Sequence, residues 1–155
     1  MASKRIEIAF AYVLQSIGHR IRRCHQLSVG LFGEEVAPFE ITTVQYAALA
    51  AIVAHHDIDA TRLADLVDFD RSTVGAVLER LELKGLITRH YGPNDKRIKL
   101  LRATALGREL LIKADVAVHR SQDRFLEVLE PHERETLLDL LQKLIMRHEA
   151  LDEAV

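Results

Sequence analysis

Residues near the middle of the chain have the types and spacing needed to contact the phosphates and base edges of DNA. Ser72 and Thr73 open a helical pattern, where hydroxyls and unpaired backbone N–H groups can donate hydrogen bonds to phosphate oxygens. Arg80, on the same outward side, can reach a guanine edge or a phosphate. Gly75 and Ala76 lie between them, and side chains this small allow a helix to enter the major groove.

Gly75 has two interpretations that the sequence leaves open. A glycine inside a helix costs about 1 kcal/mol relative to alanine, so its presence needs a reason. One possible reason is close approach of the helix backbone to DNA. The alternative reason is close packing of this helix against another helix.

A second group of candidates follows the turn Gly92-Pro93-Asn94-Asp95, which favours a β-hairpin. Arg97 near the tip of that hairpin would fit the narrow minor groove, where the potential is most negative. Asp95 lies two residues before Arg97 and can orient it through a charge-assisted hydrogen bond. The candidate DNA contacts are therefore Arg62, Arg71, Ser72, Thr73, Gly75, Ala76, Arg80, Asn94, Lys96, Arg97 and Lys99.

Local signals around these residues predict a winged helix-turn-helix over 42–102. Asp70 is a typical N-cap for the helix that carries the first group, and Gly85 ends that helix as a left-handed residue. Val74, Val77, Leu78 and Leu81 recur at helical spacing and are expected to face the core. The segments 86–89 and 97–101 are expected to form the two strands of the β-wing.

Long amphipathic helices are predicted on both sides of this unit, over 4–32 and 104–151. Their apolar surface exceeds what one small domain can cover, which predicts an intertwined homodimer with these segments as dimerisation helices. The expected fold class is therefore mainly α, with about six helices and a two-stranded β-wing, in a single domain over 1–155.

Charge is distributed unevenly along a chain whose overall net charge is only −2. Between positions 71 and 102, eight basic residues face three acidic ones, a net of +5. Between positions 123 and 155, four basic residues face nine acidic ones, a net of −5. A local basic face is sufficient for phosphate contact, so the overall sign does not argue against DNA.

Other functional classes find little support in the sequence. A single cysteine, Cys24, precludes an intrachain disulfide, and no phosphate-binding loop, nucleophile elbow, dinucleotide fingerprint or zinc-protease motif is present. Adjacent His55 and His56 form the only dense histidine cluster and cannot easily share one metal ion without distant partners. We therefore expect no catalytic residues, no metal, no cofactor and no membrane contact, and a cytoplasmic location because no signal-peptide pattern precedes the fold.

The stretches LADLVDFDRSTVGAVLERLELKGLITR, NDKRIK and TALG, with TTVQYAAL upstream, resemble the MarR family of bacterial transcription regulators. The resemblance implies a triangular homodimer that inserts the helix beginning near Asp70 into the major groove of a pseudo-palindromic operator, with Arg97 in the minor groove. Many members of the family carry Thr-Arg where this chain has Gly75-Ala76, so a base-contacting arginine is not available at this position. We therefore expect Ser72, Thr73 and Arg80 to make more of the DNA contacts. Together with Gly75, GHRIRRCHQL in the first helix is similar to the branch that controls breakdown of aromatic acids.

The resemblance also implies a ligand pocket between the dimerisation helices and the DNA-binding lobe. Arg20 falls inside the apolar arc of the first helix, where a cation needs a partner. An aromatic carboxylate would provide one, with His25 or Tyr46 assisting, and a phenolic effector is also compatible. The alternative is a salt bridge between Arg20 and an acid of the later helices in the dimer.

The sequence thus predicts a DNA-binding transcriptional regulator, a repressor released by a small aromatic acid. One alternative is an oxidant-sensing repressor that uses Cys24, because basic neighbours such as Arg22 and Arg23 are typical of reactive cysteines. Another is a winged-helix module that binds protein instead of DNA.

Overall fold

A computed structural model describes residues 2–92 and 97–152 of the chain. Within them the helices are α1 Ala2–Gln15, α2 Ile17–Val36, α3 Thr43–Ala54, α4 Ala60–Val67, α5 Arg71–Leu83, α6 Ala105–Leu126 and α7 Pro131–Asp152, with a 3₁₀ turn at Ala37–Phe39. Three antiparallel strands, β1 Ile58–Asp59, β2 Ile87–Tyr91 and β3 Lys99–Ala103, lie in the order β1-β3-β2. The expected mainly helical winged fold is confirmed.

The wing strands β2 and β3 pair from Ile87 opposite Ala103 to Tyr91 opposite Lys99. The short β1 adds to the other edge of β3, where Ile58 pairs with Leu101. Sequence patterning missed β1, because a strand of two residues is too short to show an alternating pattern.

The hydrophobic core lies beneath α5 and holds that helix in place. As expected, α5 contributes four buried side chains, Val74, Val77, Leu78 and Leu81. They meet fully buried partners from α3, α4 and the sheet, namely Leu49, Ile52, Leu63, Ile87 and Leu101. Each buried side chain of this size contributes about 1.5–3 kcal/mol, so the orientation of α5 is strongly determined.

Local signals set the helix boundaries around α5. Thr42 and Gln45 form a reciprocal capping box at the start of α3, and Asp59 caps α4 through the N–H groups of Thr61 and Arg62. Gly85 follows α5 at φ +69°, the left-handed conformation in which glycine carries no steric cost.

The helix predicted over 4–32 is instead two helices, and the second is longer than expected. Ser16 separates α1 from α2: its Oγ donates to the Val13 carbonyl at 2.7 Å and accepts from the His19 N–H at 3.3 Å. The second helix then runs through Gly33 to Val36, beyond the predicted end at Phe32. Because Val36 is completely buried in the core, packing outweighs the weak helix propensity of glycine at that end.

Apolar side chains of the terminal helices remain exposed in the single chain. No described side chain of α7 is buried, and the exposed set includes Ile6, Phe10, Val13, Ile17, Ile21, Leu138, Leu141, Leu144 and Ile145. Among the described helices, none alone has the length and apolar character to cross a membrane. The pair Ile17–Phe39 and Thr43–Ala54 has that length and apolar character only when the two are taken together, and it is bent by 66°.

Candidate nucleic-acid interface

The outward face of α5 is a narrow stripe of mostly small side chains. At 100° per residue, Ser72, Gly75, Ala76 and Glu79 fall within about 100° of arc, and all four are exposed. The opposite side of the helix carries the buried core residues. The structure therefore places three of the predicted contacts, Ser72, Gly75 and Ala76, together on the accessible side of the helix, whereas Thr73 is half-buried outside this stripe.

Gly75 is not required by packing within the described chain. A Cβ added at this position would meet no atom within 4 Å apart from those of the adjacent residues and of the surrounding helix backbone. Of the two interpretations of this glycine, close packing against another helix of the same chain is therefore removed. Close approach of an external molecule remains.

Asp70 organises the first turn of α5. Its carboxylate accepts a hydrogen bond from the Thr73 N–H at 2.9 Å, from the Thr73 hydroxyl at 2.6 Å and from the Ser72 hydroxyl. The Ser72 and Thr73 hydroxyls, with that N–H, hold the pKa of Asp70 well below its usual range. Both hydroxyls thus already donate to Asp70, and their donation to DNA phosphates stays a prediction that requires them to turn away from it.

The described part of the wing places two basic side chains beside the start of α4. Exposed Arg97 and Lys99 line an open groove of about 490 Å³ with Asp59, Ala60 and Thr61. The other predicted wing residues, Asn94, Asp95 and Lys96, lie outside the described residues.

Two further predicted contacts, Arg62 and Arg71, are exposed near the first turns of α4 and α5. Arg80 is exposed on α5 as well, at the edge of the stripe. Arg62 borders a second open groove, of about 330 Å³, with the exposed His55 and His56. On the α5 helix wheel, Arg71 and Arg80 lie on either side of the stripe rather than on it, as a phosphate-contacting rim would require.

A salt-bridge cluster braces the wing and was not found from the sequence. The Asp57 carboxylate, in the turn between α3 and β1, accepts hydrogen bonds from Arg102 of β3 at 2.7 and 2.8 Å. His90 of β2 places its Nε2 2.9 Å from the same carboxylate. Hydrogen bonds from Arg102 lower the pKa of Asp57, and His90 contributes in the same direction. Because 45 residues separate Asp57 from Arg102, no local pattern could have indicated the pair.

The predicted effector residues lie in two places within one chain. Arg20 and His25 are exposed on α2, whereas Tyr46 on α3 is half-buried. The Tyr46 hydroxyl donates to Asp115 of α6 at 3.4 Å, and its ring meets Phe32 edge-on with centroids 6.1 Å apart. Burial raises the pKa of Tyr46, and the adjacent Asp115 adds to the effect.

Arg20 does not reach Tyr46 within one chain. At 1.5 Å per residue, Arg20 lies about 18 Å along α2 from Phe32, the ring that contacts Tyr46. Arg20 pairs with no carboxylate among the described residues. Two acidic residues near the C-terminal end of α2, Glu34 and Glu35, instead form salt bridges with Arg124 of α6, at 2.9 and 2.7 Å.

A family model described as the MarR family matches residues 41–99 of the chain. A Thauera aromatica protein assigned as a transcriptional regulatory protein for the hcr operon is 31% identical over 139 residues. The match covers 89% of this chain and 84% of that protein.

Two solved structures are similar over most of the chain. One is Bordetella bronchiseptica BpsR, whose DNA binding is regulated by 6-hydroxynicotinic acid; its TM-score is 0.80 at 26% identity, over 84% of this chain and 94% of BpsR. The other is CouR, a transcriptional repressor bound to a 23-mer DNA duplex, with a TM-score of 0.80 at 29% identity, over 86% of this chain and 94% of CouR.

Proposed function

The chain belongs to the MarR family of DNA-binding transcriptional regulators, and on that premise we propose that it is a homodimeric repressor of a pseudo-palindromic operator. The observation that carries the proposal is the outward face of α5. It is small-chained and rimmed by cations, and its glycine has no packing role in the described chain. CouR is itself a repressor with a DNA duplex bound.

We propose the second copy of this chain as the partner of the terminal helices. On α2 the exposed Ile17, Ile21 and Cys24 continue the same face that buries Phe32 further along the helix. A second set of terminal helices would cover this face and the apolar stripe of α7. Two-fold symmetry would then place the two α5 helices about one helical turn of DNA apart.

In the proposed complex, α5 enters the major groove and Arg97 enters the minor groove. Arg62, Arg71 and Lys99, with the wing residues Asn94 and Lys96, contact the phosphates. Such a protein acts in the cytoplasm, where the operator is, and needs neither a cofactor nor catalytic residues.

We propose a small aromatic carboxylate as the effector, with Arg20 and His25 binding the carboxylate and Tyr46 contacting the ring. Because one chain keeps Arg20 and Tyr46 apart, the site would form where α2 of the second copy lies against the first. The regulation of BpsR by 6-hydroxynicotinic acid supports this class of ligand. Effector binding would change the separation of the two α5 helices, with a coupling on the order of 1–3 kcal/mol.

Gel-shift binding to the DNA upstream of the chain's own coding region tests the proposal. Benzoates, hydroxybenzoates, cinnamates and pyridine carboxylates are added in turn, and one of them is expected to release the DNA. Arg20→Ala should retain DNA binding and lose the response to the acid. An unchanged response would remove Arg20 from the effector site, and release by peroxide alone would favour Cys24 as the sensor.

A further inference from the structure

We propose that Glu79 reads a cytosine in each operator half-site, its carboxylate accepting a hydrogen bond from the cytosine N4 amino group. The proposal rests on the proposed function, in which α5 lies in the major groove.

The position of Glu79 on α5 is the first observation. From Ser72 to Glu79 the exposed stripe runs about 10 Å along the helix axis, close to three base-pair steps of 3.4 Å. Gly75 and Ala76 occupy the middle of the stripe and offer no polar side-chain atom. Glu79 is thus the one long polar side chain on the stripe and lies at its C-terminal end, on a helix that can approach the bases closely.

The second observation is that the Glu79 carboxylate is exposed and has no partner among the described residues. Its neighbour Glu82 behaves differently, because it points off the stripe and pairs with Arg89 of β2 at 3.4 Å. Arg71 and Arg80 lie on either side of the stripe, the arrangement expected of a phosphate-contacting rim.

An unpaired carboxylate between two such cations is unfavourable for general DNA binding, since it repels phosphates and loses its hydration in the groove. A hydrogen bond from a base donor offsets that cost. The carboxylate therefore favours sites that present a donor at this position over all others.

The chemistry of the major groove selects cytosine as the base. An ionised carboxylate can only accept hydrogen bonds, whereas guanine presents two acceptors and thymine one acceptor and a methyl group. Adenine presents a donor at N6, but the acceptor N7 lies beside it. Because N7 would face the second carboxylate oxygen, two acceptors would repel each other there. Cytosine offers the N4 donor without an adjacent acceptor of its own.

Selection of bound sequences from randomised duplex DNA tests the proposal, with the full-length chain as wild type, Glu79→Gln and Glu82→Gln. The wild type should enrich cytosine at two symmetry-related positions, and replacing that base should weaken binding about 5- to 100-fold. Glu79→Gln should lose cytosine there and turn towards adenine, because glutamine can both accept from N6 and donate to N7. Glu82→Gln removes the same charge from the same helix and should keep the cytosine.

Sequence-specific binding by the wild type with the same cytosine retained in Glu79→Gln overturns the role of Glu79 and leaves the proposed function standing. Enrichment of no sequence by the wild type overturns the proposed function, and with it the proposal for Glu79. Loss of cytosine in both variants would assign the preference to net charge, which also overturns the role of Glu79.

Discussion

Single residues decide how closely α5 can approach a partner and how its first turn is held. Gly75 carries no packing role within the described chain, while Asp70 ties the Ser72 and Thr73 hydroxyls to the start of the helix. Gly75 therefore lowers the stability of the helix but leaves its outward face accessible. Asp70 makes the stability of the first turn depend on the charge of its carboxylate.

We expect Gly75→Ala to stabilise the protein and weaken its binding to DNA. Alanine in place of a helical glycine raises the free energy of unfolding by about 0.5–1 kcal/mol, whereas the added methyl group holds the backbone off the bases. Gly30→Ala on α2 is a matched control, because Gly30 is also exposed with open space around its Cβ position. Denaturant unfolding and fluorescence anisotropy measure the two quantities; equal DNA affinity in both variants would reject close approach at Gly75.

The Asp70 cap predicts a pH dependence of stability at the acid end. Because folding lowers the pKa of Asp70, the stability it contributes is present above the unfolded-state pKa of about 4. That contribution is lost progressively as the pH falls from there towards the folded-state pKa. Asp70→Asn should flatten this part of the profile in urea unfolding at a series of pH values, whereas Asp65→Asn, at an exposed position of α4, should leave it intact. Identical profiles for Asp70→Asn and wild type would contradict the assignment.

At the scale of elements, the α5 region was predictable because its signals are local. The N-cap Asp70, the apolar spacing from Val74 to Leu81 and the left-handed Gly85 all lie within one short segment, and the structure agrees with each. The end of α2 at Val36 was not predictable, because burial in the core overrides the local preference there.

The wing brace was missed for a related reason. Asp57, His90 and Arg102 come from three separate segments and meet only in the folded chain. The same holds for the contact of Tyr46 with Asp115, which lies on a different helix. Periodicity can place each residue on an element but cannot pair elements that are distant along the chain.

We expect Arg102→Ala to lower DNA affinity without changing its salt dependence. Removing Arg102 leaves the Asp57 carboxylate with only His90 and loosens β3 against the turn before β1, so the wing loses its orientation but no phosphate contact. Lys99→Ala, in contrast, should reduce the slope of log affinity against log salt by about one, because it removes a phosphate contact. Anisotropy titrations at several salt concentrations separate the two. A reduced slope in Arg102→Ala would show that Arg102 contacts phosphate itself.

At the scale of the whole molecule, the chain has two kinds of surface. The terminal helices carry exposed apolar stripes, and the middle of the chain, between positions 71 and 102, carries a net positive charge. In the proposed dimer, the terminal helices contact the second copy, and the helix-turn-helix with its wing contacts DNA. A pseudo-palindromic operator requires both, since only a dimer can read two half-sites at once.

We expect Leu144→Glu on α7 to weaken the dimer on the order of 100-fold or more. The substitution removes apolar burial twice in a symmetric interface and adds two charges to it. Lys143→Glu changes charge on the same helix but outside its apolar stripe, about 100° around the helix from Leu144, and should leave the assembly intact. Sedimentation over a range of concentrations reports the result, and a Leu144→Glu protein that assembles like wild type would place the interface elsewhere.

Binding of the wild type and of Arg97→Glu to the DNA upstream of the chain's own coding region tests operator recognition most directly. We expect sequence-specific, salt-sensitive binding by the wild type, and we expect Arg97→Glu to lose it while remaining folded and dimeric, because the substitution reverses the charge in the minor groove. Equal binding by Arg97→Glu, or binding by the wild type that unrelated DNA competes for equally well, would contradict a repressor that reads its operator with α5 and the wing.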